Sequence, residues 1–316
     1  MLNQAIVMVI IWGLLTQKVF AYEAIGVDKT VNANTIAQQC YTAKWPEKAL
    51  LDLAKQEFEI DNDGERHGLA LQLLNCLANP KADIRDGVAF TGLSSWLRND
   101  KLTRDLHQEM FITLLENFGA KTVDNAAVYQ PFVALLLSEL ARVDRKQPYL
   151  APQQRALLVA KSTDYMVNIN DYRGFDDTVG WRHNVAHTAD IFLQLALNPE
   201  ITTEQLTAML DAIGQQVLPD EHFYRYGEPK RLATALLYIL LQQEHNTQNW
   251  QNWLQSYITP KPINDWQNTY ISQVGLAKRH NASAFLSALF VIIADSNNEQ
   301  LKQLKPALVE SLKALN

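Results

Sequence analysis

Between Ala49 and Ile293 the apolar residues of this chain recur three and four positions apart, and no useful stretch alternates apolar with polar. That spacing marks helices that each bury one stripe, and it leaves little of the chain for a sheet. Ala49, Leu50, Leu53 and Phe58 begin the pattern, and Leu69, Leu73, Leu74 and Leu77 carry it to a stop at Asn79-Pro80. Ile84, Val88 and Trp96 define the next helix, with Asp83 placed to cap it. Further blocks cover residues 106–115, 132–140, 157–166, 179–197, 206–217, 232–241 and 285–293. Prolines 80, 148, 199, 219, 229 and 260 punctuate them. Short loops between such blocks imply an all-α chain of about 12–14 antiparallel helices, arranged as a HEAT-like superhelix or an α/α toroid. LLNCLANPKAD and LQLALNPEITTEQ echo one another, but too irregularly for a strict repeat array.

The N-terminus reads differently. An apolar run over residues 5–15 leads to Val19-Phe20-Ala21, a small-x-small cleavage pattern, so residues 1–21 are read as a signal peptide. Residues 22–316 then form one helical domain, periplasmic or secreted; the alternative is a membrane anchor made by an uncleaved N-terminus. After cleavage no segment is left to cross a bilayer, which takes about 20 apolar residues. The formal charge of −6 and the lack of any Lys/Arg-rich run give nucleic-acid binding no support. Cys40 and Cys76 match no zinc motif; they either pair in an oxidising compartment or stay as separate buried thiols.

Chemistry concentrates in DYRGFDDTVGWRHNVAHTAD, residues 171–190. With a helix starting near Val179, a wheel puts His187, Asp190 and Gln194 beside His183 and Trp181, Val185, Ala189 and Phe192 opposite. A helix so largely apolar is buried, and its narrow polar stripe faces either a groove or solvent. In the groove, His183 or His187 would act as acid or base, with Asp190 or Asp171 orienting it. The same two histidines are the metal candidates, although no cofactor is expected and a metal ion is the alternative. Asn184 stands where a zinc protease needs its glutamate.

Arg173 can lock the preceding loop by pairing with an aspartate, or clamp an anion. Trp181, Glu228, Arg231 and Asp86 complete the ligand-binding candidates. Glu228 and Arg231 are three apart, a spacing for local pairing. His222, Tyr224 and Tyr226 form a polar-aromatic loop suited to a pocket rim. Trp250, Trp253 and Trp266 read as core.

Asp83-Ile84-Arg85-Asp86, Tyr172-Arg173-Gly174-Phe175 and the string Gly180-Trp181-x-His183-x-x-Ala186-His187-x-Ala189-Asp190 resemble a bacterial family of unknown function, number 2785. Glu228, Arg231 and the segment NASAFLSAL add to the likeness, which runs over roughly residues 78–293. Gln130-Pro131-Phe132 and Ile169 depart from the family pattern. The resemblance implies a helical fold and a site location but no activity. The first reading is an exported binding protein whose groove engages a peptide, protein or small ligand. The second is a hydrolase or lyase built on a toroid, and the third an immunity-type or envelope-maintenance protein.

Overall fold

In the computed structural model the described residues are 29–243 and 247–315, so the signal peptide read in residues 1–21 lies outside them. The expected blocks fall on helices, and further helices lie outside them: α1 Ala33–Gln38, α2 Glu47–Lys55, α3 Asp63–Cys76, α4 Thr91–Arg98, α5 Arg104–Asn117, α6 Tyr129–Lys146 and α7 Pro152–Asn168. There follow α8 Asn184–Ala196, α9 Thr203–Val217, α10 Glu228–Gln242, α11 Thr247–Tyr257, α12 Gln273–Ala294, α13 Glu299–Lys302 and α14 Lys305–Ala314. A π-helical stretch, Asp83–Phe90, runs directly into α4. Two short ladders interrupt the helices. β1 (Thr30–Asn32) pairs in parallel with β2 (Lys121–Val123), and β3 (Phe175–Asp176) pairs antiparallel with β4 (Gly180–Trp181).

Local chemistry explains most helix starts. Asn62, Thr103 and Ser272 accept from first-turn backbone N–H groups of α3, α5 and α12. Thr202 and Gln205 cap α9 reciprocally. Asp124 accepts from the N–H groups of Ala126, Ala127, Val128 and Tyr129, which fixes where α6 begins. Asp83 does not cap: Ala82 holds that position, and the aspartate lies in the first turn beyond it. Its charge still suits the positive end of the helix dipole.

The helices pack in two rows. In one row α4 contacts α6, α6 contacts α8, α8 contacts α10, and α10 contacts α12; in the other, α7 contacts α9 and α9 contacts α11. Side-chain bonds give the first row its direction. His187, near the start of α8, meets Pro131, near the start of α6, while Arg145 and Gln194 meet near their ends. Gln242, ending α10, likewise bonds Asn198 just beyond α8. α6, α8 and α10 are therefore parallel, and the loops that enter them gather at one end. A single buried apolar cluster runs from Val31 to Leu315. Large members such as Phe192 and Phe285 are wholly buried, each contributing about 1.5–3 kcal/mol. Trp250 and Trp253 lie in it as expected, stacked at 5.7 Å, and Trp266 is partly buried against it.

Cys40 and Cys76 form a disulfide that ties the end of α1 to the end of α3. Closing that loop removes about 4 kcal/mol of chain entropy from the unfolded state. Among the described residues no helix is long and apolar enough to cross a membrane.

Candidate functional site

The loop between α7 and α8 is shaped by two buried arginines. Arg85 has no solvent exposure; its Nη2 donates to the carbonyls of Val179 (2.8 Å) and Trp181 (3.3 Å). Its Nη1 donates to those of Asn79 (3.1 Å) and Pro80 (3.3 Å). The guanidinium lies 4.6 Å from the centre of the Phe132 ring. Arg182 donates to the Ala126 carbonyl at 2.8 Å and pairs with Asp176, whose other oxygen accepts from Thr178 and Val179 N–H groups. Gly180 takes φ +79°, a conformation that costs a residue with a Cβ roughly 1–2 kcal/mol.

These contacts overturn the helix start expected near Val179. Residues 175–181 form a hairpin, and α8 begins only at Asn184. Trp181 and Arg182 therefore leave the wheel drawn through α8. His183 becomes the N-cap in a left-handed conformation, φ 66° and ψ 42°, with its carbonyl accepting from His187 N at 2.9 Å.

That turn builds an aromatic corner. The His183 ring stacks on Trp181 with centroids 4.3 Å apart. Phe175 and Tyr226 meet the Trp181 indole edge-on at 5.0 and 5.9 Å, and the Tyr226 hydroxyl donates to the Phe175 carbonyl at 3.2 Å. Tyr226 lies so close over Gly174 that any Cβ there would overlap its ring. Phe175 and Trp181 nevertheless remain 42% and 38% exposed, large for aromatics held this firmly. Behind them, His187 lies 5.6 Å from His183 and edge-on to Phe132 at 5.5 Å.

The two imidazoles are electrically quiet. His187 is buried, and its Nδ1 is 2.9 Å from the Pro131 carbonyl, which can only accept, so Nδ1 carries the proton and Nε2 the lone pair. Burial, with His183 and Arg231 acting in the same direction, pulls the His187 pKa down to about 3 against the opposing Pro131 bond. Burial, then Arg231, pulls His183 down to about 4. Both are neutral at pH 7. The Nδ1 of His183 is buried with no hydrogen-bond partner.

The other candidates divide into two sets. Asp190 and Arg231 join the corner as an ion pair spanning α8 and α10, through Arg231 Nη1 to both carboxylate oxygens. Burial raises the Asp190 pKa despite that partner. The local Glu228–Arg231 pairing is replaced by this longer one, because Glu228 turns back and accepts from Tyr226 N at 2.9 Å. Glu228 is buried, which raises its pKa.

Arg173 and Asp171 pair within their own loop at 2.6 and 2.8 Å. Burial would raise the Asp171 pKa, but Arg173 outweighs it and holds the group low. Asp86 lies 2.7 Å from Arg85 Nε, at an angle unsuited to a hydrogen bond. Among the described residues no three His, Cys, Asp or Glu side chains form a metal-binding group.

Sequence reading missed Arg85 as the anchor of the hairpin, Arg182 as its second clasp, and Phe132 as the wall behind His187. Gly180, three residues before His183, was the visible sign that a helix could not yet have begun. No curated protein and no solved structure matches the chain. The profile of the protein family of unknown function DUF2785 matches residues 114–291, more than half of the sequence, and the chain belongs to that family.

Proposed function

We propose that this chain is an exported helical-repeat binding protein whose ligand sits at the loop end of the α6–α8–α10 row, on Trp181, Phe175, His183 and Arg231. The two-row stacking supports a HEAT-like superhelix, with an α/α toroid as the closed variant. The Cys40–Cys76 bridge supports an oxidising compartment, periplasmic or extracellular.

One observation carries the binding reading. Two buried arginines hold a hairpin whose product is an exposed indole backed by an unpartnered imidazole nitrogen. A structural hairpin would bury its tryptophan and satisfy its polar atoms. The hydrolase or lyase alternative needs an acid or base that titrates near working pH. Burial holds His183 and His187 in the neutral form, which suits accepting a hydrogen bond better than shuttling protons.

A thermal-shift screen of peptides and small polar molecules, run in parallel on the native chain and Trp181→Ala, tests this. Ligands that stabilise the first and not the second are expected. Ligands that stabilise both equally would place the site elsewhere.

A further inference from the structure

The corner specifies the kind of group it can receive. Because Nδ1–H of His187 is committed to the Pro131 carbonyl, Nε2 offers a lone pair, and it makes no hydrogen bond among the described residues. It belongs to a residue that is only 7% exposed. A lone pair in that position calls for a donor. A carboxylate or phosphate has no proton to give and would face it unfavourably. A cation would enter beside Arg231 and Arg85, both of which already act on this ring electrostatically, and their aspartate partners are engaged. The group that fits is a neutral O–H or N–H.

Arg231 supplies the complementary half. It bonds Asp190 through Nη1 alone, which leaves Nε and Nη2 as donors on a half-exposed side chain. A donor pair and a lone pair around an aromatic corner match hydroxyls on neighbouring carbons, each of which both donates and accepts. The exposed indole and phenyl faces suit the C–H face of a pyranose. A peptide bound by strand addition needs a sheet edge, and among the described residues the ladder beside the corner is two residues long.

Resting on the binding reading above, we infer that the ligand is a neutral saccharide that donates a hydroxyl to His187 Nε2, accepts from Arg231, and packs its C–H face on Trp181 and Phe175.

Titration of the ¹⁵N-labelled full chain with chitotriose, cellotriose and maltotriose, and with trialanine as the peptide probe, tests the inference by following the backbone amide resonances of Gly180, Arg182 and Tyr226, which every variant keeps. At least one trisaccharide should shift them, with affinity falling by about tenfold or more in Trp181→Ala and in His187→Gln. The glutamine keeps an N–H for Pro131 but carries its acceptor, Oε1, on the same amide carbon and so away from the ring position of Nε2, and retained amide dispersion verifies that each variant folds. A shift with trialanine alone overturns the saccharide class and leaves the binding site standing. Silence with every probe overturns both. Saccharide affinity unchanged in His187→Gln overturns the hydroxyl assignment.

Discussion

The row formed by α6 and α8 carries a buried polar network at each end, and the two are built on opposite plans. At the C-terminal end Asp144, 1% exposed, accepts from Tyr149 N, Leu150 N and both Nε and Nη2 of Arg155, and from Asn198 Nδ2. Both of its oxygens are engaged. At the N-terminal end His183 Nδ1 is buried without a hydrogen-bond partner, beside aromatic rings that remain exposed. A closed network spends its polarity on joining α6, α7 and the end of α8. An open one leaves polar atoms unsatisfied, and the binding proposal rests on that difference. Both regions hold buried polar groups, and the saturation of those groups is what separates the two.

The sharpest way to break the comparison is to cut the closed network. Arg155→Ala should cost about 3–5 kcal/mol, because it strands the Asp144 carboxylate in the interior. The measurement is the urea midpoint, and a loss under 1 kcal/mol would show that Asp144 is not held as described. Arg85→Met keeps bulk but removes the donors to four carbonyls, so about 2–3 kcal/mol should be lost. It should also change Trp181 fluorescence, as Arg155→Ala should not.

The histidines sharpen the contrast through pH. Folded values of about 4 and 3 lie below the unfolded value of about 6.5. The unfolded chain therefore binds more protons below pH 6.5. Stability is full above that pH and falls as acid is added toward the folded values, by up to about 1.4 kcal/mol per pH unit for each imidazole. His187→Gln should flatten this slope between pH 6.5 and 4. An unchanged slope would mean that His187 titrates normally. Trp181→Ala should have the smallest effect on stability, below about 1 kcal/mol, since the residue is 38% exposed. A larger loss in chemical denaturation would make Trp181 part of the architecture after all.

What could be read in the residues themselves was whatever local chemistry decides. Asn79-Pro80 ends a helix, Thr202 with Gln205 starts one, and the spacing of His183 and His187 does bring their rings together. What depends on distant partners could not be read. Arg85 reaches Val179 across 94 positions, and Arg231 finds Asp190 across 41 in preference to Glu228 three away. The Asp144 network escaped notice for the same reason, since Asn198 approaches from 54 positions along. The helical wheel failed only where such a partner intervened, at Trp181 and Arg182, which Arg85 and Asp176 hold in an extended turn.

The family profile matches from residue 114, yet the guanidinium that sets the Val179–Trp181 turn comes from residue 85. Exchanging residues 79–90 between two relatives would therefore retune the indole's presentation from behind, without altering any atom on its exposed face. A buried strut thus governs a surface feature from outside the matched span, and a change in the strut reaches the surface with no surface residue replaced.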